Sequence, residues 1–578
     1  MDLLGGKYNI ATNNIPASYV NQVQVLSNHQ ETKVDKDVFS DDVAINIKLS
    51  DKAKLKPTGT YESAAGYGED WLYSLSGAGM LFAPKTQAIA TVKTGNIKSF
   101  AADGGKTLTG TSDPESKASE LLGNLSTSQA PLKSERFLSP SDILVTLNAI
   151  RKTGRNSTIK ANAGYSTSKS DYEYSQTSLY YDGSGNMQVN RSVSPESTLR
   201  KPWLSMTFQN NAPKCYINED ISLKATSRKS TVPTIQNGKM LVQSQSIRDI
   251  DLKNDFTARW RTCKLRWNAS SVLEYSEAPT ALSDLHFSVC PDVYFNWNVS
   301  PRSVLRATAS YSRTFGDALD FLTAPVRLDE TTVRVSSGVL SDTKALSANL
   351  HYDFKIPLEQ WFLNADFAYV RNWNNLITSQ DVIDSNILTG TLAQQNVSDN
   401  IISQLGVTKQ ITPIRTKISL TGSALYSNQS TMQNGNLVDV SWQSTAISPS
   451  LYSHPLDWLE LDYSGEYAKT SSNYGSVRKH YLSQSHDIVL KLLPGDSFQF
   501  TAGAEISRHQ ITDDLTKTMA LLDCGLSFRH RSMQLSLDLR NLLNQKSYSY
   551  TIYSTVNTFT YDYRLRGREL IMTLRFTL

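Results

Sequence analysis

The chain has 578 residues, 39% hydrophobic and 9% aromatic with 27 Tyr, and Ser, Thr, Asn and Gln fill much of the remainder. Its 58 Lys and Arg against 54 Asp and Glu leave a formal charge of +4 with neither sign gathered in a long block, which speaks against a nucleic-acid partner. No run approaches 18 consecutive apolar residues, so no helix here spans hydrocarbon with its backbone shielded, and a membrane protein of this composition has to be a closed barrel.

Residues 1–50 read differently from the rest. Met1-Asp-Leu-Leu-Gly-Gly-Lys-Tyr8 lacks the basic stretch, apolar core and small-residue cleavage site of a secretory signal. Ile15-Pro-Ala-Ser-Tyr-Val20 is followed by Val23-Gln-Val-Leu-Ser-Asn-His-Gln30 and, after a charged link, by Phe39-Ser-Asp-Asp-Val-Ala-Ile-Asn-Ile-Lys-Leu49.

From about residue 52 onward one pattern repeats: an alternating run of roughly 9 to 13 residues, then a polar turn. Leu305, Ala307, Ala309 and Tyr311 alternate with Arg306, Thr308 and Ser310, and Leu346, Ala348, Leu350, Tyr352 and Phe354 with Ser347, Asn349, His351 and Asp353. The same division separates Leu363, Ala365, Phe367 and Tyr369 from Asn364 and Asp366, and Leu459, Leu461 and Tyr463 from Glu460, Asp462 and Glu466. It continues through Phe498–Ile506, Met533–Arg540 and the last run, Leu570 to Leu578. A strand places each set on its own face, one apolar and one wet, whereas helical spacing would mix them. The expected fold is all-β: a large transmembrane antiparallel barrel of about 22 strands over residues 51–578.

Connections are unequal. Asp182-Gly-Ser-Gly-Asn186 and Met432-Gln-Asn-Gly-Asn436 read as tight turns, while residues 98–138 form a long Gly/Ser/Lys-rich stretch. Short turns and long loops on opposite rims are expected, with 98–138, 314–330 and 376–396 as external loops that carry any ligand selectivity.

The order at the N-terminus resembles the closing part of the plug domain in TonB-dependent receptors, where a short helix leads into a Val-x-Val-Leu strand and an Ala-Ile-Asn-Ile-Lys-type strand enters the barrel. Asn28-His29-Gln30 is most similar to receptors of Bacteroidota related to SusC-type glycan importers. Asn541-Leu-Leu-Asn-Gln-Lys-Ser-Tyr-Ser-Tyr550 is similar to the segment before the last two receptor strands, and Arg564-Leu-Arg-Gly-Arg-Glu-Leu570 fits the final approach. The resemblance implies that residues 1–50 are the C-terminal part of a plug and that the protein sits in the bacterial outer membrane. It further implies uptake of a scarce solute, an oligosaccharide or a metal chelate, with TonB as the energy-coupling partner of a full-length form and a surface lipoprotein as a candidate lid. The expected start of such a receptor is missing, which reads as an N-terminally truncated chain.

Other chemistry is thinly represented. Cys215, Cys263, Cys290 and Cys524 form no C-x-x-C pair and read as isolated strand residues. His480 and His486 are about 20 Å apart in an extended strand, too far to share an ion. His286, His351, His509 and His530 read as lone lumenal or rim residues, His454 as part of a turn before Pro455, and His29 belongs to the plug-like segment. Asp182-Gly-Ser-Gly lacks the alternating acids of a calcium loop, and Gly5-Gly6 and Gly104-Gly105 lack the spacing of a phosphate loop. Glu460 and Asp462 share a face as a glycosidase pair would, yet a wet lumen needs charge regardless. Trp71, Tyr73, Trp203, Trp297, Trp373 and Trp458 are expected in interfacial girdles, with sugar stacking as the other use. No catalytic, metal or cofactor residue is assigned. Two further readings stand beside the receptor: a plug-deficient passive pore or inactive relic, and an extracellular glycan-binding adhesin, which predicts a polar exterior.

Overall fold

The computed structural model describes residues 20–26, 32–35 and 44–49. From 58 to 577 it describes all but 84, 98–131, 183–184, 237–238, 261–262, 277–281, 289–291, 316–325, 328–331, 336, 340, 384–385, 475–476, 496, 512–514 and 554–556. The Ile15-Pro-Ala-Ser-Tyr part of the first plug-like motif, His29, Cys290 and most of the 98–138 stretch lie outside the described residues.

A single 31-stranded sheet runs through the chain from Thr58–Tyr67 to Glu569–Thr577. Four hairpins within it stand off the wall: Tyr174–Asp182 with Gly185–Val193, Val326–Arg327 with Thr332–Val335, Ile377–Ile383 with Asn386–Leu392, and Ser547–Tyr553 with Asn557–Arg564. Leu282–Ser288 and Asp292–Ser300 are successive halves of one pass, the first paired to Cys263–Ser276 and the second to Ser303–Phe315. What remains is a wall of twenty-two antiparallel passes. It closes on itself where Thr60 faces Thr577 and Tyr67 faces Leu570. Closure satisfies the backbone groups of both edges, the condition for a sheet to cross a bilayer.

The alternation sorts as expected. Outward-facing Leu346, Leu350, Phe367, Leu405, Ile447, Phe500, Leu537 and Met572 are exposed apolar residues. Inward-facing partners form a polar ladder: Thr91 with Thr146 (2.6 Å), Thr207 donating to Asp220 (2.6 Å), Arg306 with Asp353 (2.9 Å) and Lys491 with Glu460 (2.5 Å). The Glu460 and Asp462 pair is thus part of a charged lumen, with Glu460 held by Lys491.

Aromatic residues mark both ends of the apolar band. Trp71, Tyr73 and Trp373 face outward at one end and Trp297, Trp361 and Trp458 at the other, all of them exposed. Trp203 departs from the girdle expectation. Its neighbours Leu204 and Met206 face out, so Trp203 faces the lumen and lies across Gly164, where any Cβ would overlap the indole.

At one rim the wall strands are joined by connections of a few residues, as where Trp260 pairs with Cys263 and Ile411 with Thr416. The long connections all leave the opposite rim. The two tight turns read from sequence exist, with Asp182 paired to Gly185 and Gln433 to Asn436, but they tip hairpins on the long-loop rim. Asn434 and Gly435 have φ of +46° and +72°, the conformation a two-residue turn of this hand requires. The 376–396 stretch, expected as a loop, is mostly the Ile377–Leu392 hairpin. His454 is also corrected: it ends strand Asn436–Leu456 at a register shift between Ser453 and Leu456, where Pro455 has no N–H to lose.

Val20–Leu26 and Ala44–Leu49 form a separate two-stranded sheet. Between them Lys33 reaches the short-turn rim, its backbone N–H donating to Asn211 Oδ1 (2.8 Å) and its Nζ to Asn156 Oδ1 (2.9 Å).

Leu350 lies midway along strand Asp342–Ile356, so Leu350→Arg places a cation at the hydrocarbon midplane at a cost of about 2–4 kcal/mol. Leu461, two residues from its strand end, tolerates the same change better. Lumenal Asn349→Arg is expected to be neutral, whereas Glu460→Arg would face Lys491 with like charge. Folding yield into vesicles, read from heat-modifiable gel migration, ranks the four; equal yields for Leu350→Arg and Asn349→Arg would contradict the face assignment.

Candidate functional site: a roofed mouth and a lumenal latch

Three of the hairpins on the long-loop rim converge although they leave the wall at widely separated passes. Val189 and Ile387, from two of them, are buried against each other with Phe559 of a third. Ile387 is fully buried at 0% exposure. The joints are extended by strand pairing: Asn557–Tyr563 pairs with Tyr174–Tyr180, and Thr332–Val335 runs parallel to Ile387–Gly390.

Beneath them lies the largest apolar cluster among the described residues. It combines Tyr174, Tyr548, Tyr550, Tyr561 and Tyr563 with Phe137, Val193 and Leu565, and rests on Met519 and Leu521 of the inner wall. The rings pack offset, with Tyr550 stacked on Tyr561 at 5.2 Å and Phe137 edge-on to Tyr563 at 5.3 Å. Burial pushes the Tyr174, Tyr548 and Tyr563 phenols well above their ordinary range, so they stay neutral. Tyr548 Oη lies 2.7 Å from His509 Nε2, and Lys517 Nζ donates to Ser549 Oγ (2.8 Å), which fixes the Ser547–Tyr553 strand on the lumenal side of the wall.

The end of the 98–138 stretch is not external. Residues 132–138, with a short 3-10 turn at Ser134–Arg136, enter the lumen. Arg136 forks onto Asp523 with bonds of 2.6 and 3.1 Å and reaches Glu505 at 2.9 Å. Lys133 bridges Glu505 (2.5 Å) and Asp487 (3.2 Å). All three carboxylates face inward from adjacent strands. Burial disfavours the Arg136 charge, but the bonds to Asp523 and Glu505 outweigh it and raise the guanidinium above its usual value. Lys133 is likewise raised, the carboxylates overcoming its partial burial. The latch therefore stays doubly cationic across the physiological range.

A second tier locks the latch. The Arg566 N–H donates to the Arg136 carbonyl (2.8 Å), and its side chain reaches the carbonyls of Ile97 and Leu138 and pairs with Glu569. Asn541, buried with φ +49°, donates from Nδ2 to the carbonyls of Gln545 and Arg566, both at 2.9 Å. The Asn541 and Arg564–Leu570 motifs singled out in the sequence thus form the base of this loop. Sequence reasoning missed the latch itself, since Lys133 and Arg136 sit in an ordinary polar stretch and Asp523 in a run that was not singled out; the polar face of Phe498–Ile506, which carries Glu505, was its one legible part.

The histidines do not converge. His480 and His486 share strand Val477–Leu492, and His486 sits on the outer face between Tyr463 and Tyr467. His351 is not alone: Nδ1 lies 2.5 Å from Asp366 and Nε2 2.8 Å from Asp353, which leaves neither nitrogen for an ion. Among the described residues no group of three metal-ligating side chains is placed to hold a metal, and Cys215 and Cys524 are free.

Removing one anchor of a buried ion-pair cluster costs roughly 3–5 kcal/mol. Asp523→Ala is therefore expected to expose the 132–138 segment, with trypsin cutting after Lys133 and Arg136 at least about tenfold faster while the wall stays protease-resistant. An unchanged cleavage rate would mean the latch is held by the aromatic cluster alone.

No family model matches the chain, and no curated protein matches it. Solved structures do. The chain is similar to the copper transporter OprC at a TM-score of 0.50 and 9% identity, covering 98% of this chain and 87% of that one. A mutant of the ferric enterobactin receptor PfeA from Pseudomonas aeruginosa gives 0.49 and 9%, with 98% and 86% covered. The ferric yersiniabactin uptake receptor FyuA from Yersinia pestis gives 0.45 and 10%, with 97% and 85% covered. At such identities the first likeness bears on the fold alone, a large closed antiparallel β-barrel.

Proposed function

We propose that the chain is an outer-membrane receptor-transporter that takes up a scarce solute through a normally shut barrel, energised by TonB. The observation that carries this reading is the roofed mouth above a latched lumen. A passive pore has no use for three hairpins meeting over its opening, and an adhesin has no use for an apolar outer wall with aromatic girdles at both ends. The likeness to a copper transporter supports a metal ion or metal chelate as cargo, and the plug-like Val20–Leu49 region supports a TonB-linked cycle. An oligosaccharide is the second reading, favoured by Trp203, whose indole lies on the lumenal wall over Gly164 as a stacking platform. The relation to Bacteroidota glycan importers and the lipoprotein lid belong to that reading.

In planar bilayers the chain is expected to show little conductance. Arg136→Ala and Ile387→Asp, which undo the latch and the roof separately, should each open channels. In a host lacking TonB, uptake should vanish while conductance is unchanged. Large steady conductance from the unmodified chain would favour the passive pore, and TonB-independent uptake would remove the energised cycle.

A further inference from the structure

The sheet rises well above the wall at one place. Cys215–Gln236 and Lys239–Trp260 form a hairpin of 22 residues a side, paired without a register shift from Cys215 with Trp260 up to Gln236 with Lys239. The next strand, Cys263–Ser276, follows the second arm only as far as Ile247, and by Leu282 the chain is back beside Glu274. Among the described residues, 240–246 therefore pair on one side alone, with no strand or loop backbone bonded to the other. Met240 precedes Trp260 at the short-turn rim by twenty residues. A tilted strand of that length rises about 50 Å, roughly 25 Å clear of the apolar band, so this edge stands in water beyond the lipid.

Register fixes which backbone groups are unmet. Gln236 and Lys239, like Trp260 and Cys263, flank two-residue connections, and such flanking residues exchange both hydrogen bonds across their hairpin. Odd-numbered residues of Lys239–Trp260 thus turn their N–H and C=O toward Cys215–Gln236, and even-numbered ones turn away. Lower down the even residues meet Cys263–Ser276; at Met240, Val242 and Ser244 they meet no strand. The stretch has neither the bulge nor the proline that commonly blunts an edge. Its flank is apolar, with Ile235, Met240 and Val242 each more than half exposed. Residues 228–250 are also basic, with Arg228, Lys229, Lys239 and Arg248 against Asp249 alone. On its far side the hairpin is braced: Thr234, Ile235 and Gln236 pair with Val193, Ser192 and Arg191 of a roof hairpin, which pairs in turn with Asn557–Arg564.

We propose that this edge is a docking site for an extended, acidic segment of a partner polypeptide, which adds a strand beside Met240, Val242 and Ser244 and lays alternate apolar side chains along the Ile235 flank. The docked strand becomes the outer margin of the sheet that roofs the mouth. A second copy of the chain does not fit. Two barrels in one membrane run this strand in the same direction, and a two-fold axis along the membrane normal sets each residue against itself, N–H against N–H, which parallel pairing does not allow.

The test titrates the full chain in phosphatidylcholine nanodiscs with a fluorescent nine-residue peptide that alternates Val and Glu, read by anisotropy and by amide hydrogen exchange. In the free chain the Met240, Val242 and Ser244 amides should exchange fast beside slow Leu241 and Gln243, and the peptide should slow the first three at least about tenfold. Val242→Pro deletes one outward N–H and no bond to Cys215–Gln236, and should weaken binding about fivefold or more. Lys229→Glu with Arg248→Glu should weaken it about tenfold, and salt should weaken binding to the unmodified chain. The same peptide N-methylated at alternate residues should not bind. Heat-modifiable migration confirms that each variant is a folded barrel. No protection at about 1 mM peptide, protection confined to other strands, or equal binding by folded Val242→Pro or by the N-methylated peptide overturns the proposal whatever the cargo proves to be.

Discussion

Everything in this molecule depends on one requirement: in hydrocarbon, a backbone N–H or C=O without a partner costs several kcal/mol, so the sheet must have no edge. The ring closes through Thr58–Tyr67 and Glu569–Thr577, and each wall residue then has its side fixed by parity alone. The apolar outer face, the charged lumen and the sorting of loops to one rim all follow from that closure. The lumen can then hold Arg136, Glu505 and Asp523 together, because burial inside a barrel is burial among polar neighbours.

The wall was largely legible in the sequence because membrane strands present two unlike environments and the residues sort accordingly. Leu346 and Leu350 against Asn349 and His351 is a division few other folds need. The roof was much less legible. Ser547–Tyr553 and Asn557–Arg564 alternate as cleanly as wall strands, yet they span nothing. The physical difference lies in what occupies the alternate positions: Tyr548, Tyr550, Tyr561 and Tyr563 pack against one another's faces and Tyr548 reaches His509 with its hydroxyl, while a lipid-facing set is mostly aliphatic. Period 2 records a strand, not its neighbours.

The site was legible only in halves. Lumenal carboxylates are expected in any wet barrel, so Glu505 and Asp523 carried no signal beyond their face, and Arg136 none beyond its charge. Their partnership spans more than 360 residues of chain and exists only once the barrel has closed. Asn541 shows the opposite case: a local motif whose purpose, tying the Gln545 and Arg566 carbonyls to one side chain, becomes visible only with the loop in place. Trp203 shows how parity corrects composition, since tryptophan suggests an interface and the register places it in the lumen.

The seam between Thr58–Tyr67 and Glu569–Thr577 has a consequence for how the protein is made. Its two sides emerge from the ribosome at nearly opposite times, so every growing chain carries an unpaired leading strand that waits for the last one. Assembly is therefore all or nothing and late, the long-range pairing being the slow step. Until then the wall is a curved ribbon with two sticky margins that need a holdase in water and a template in the membrane.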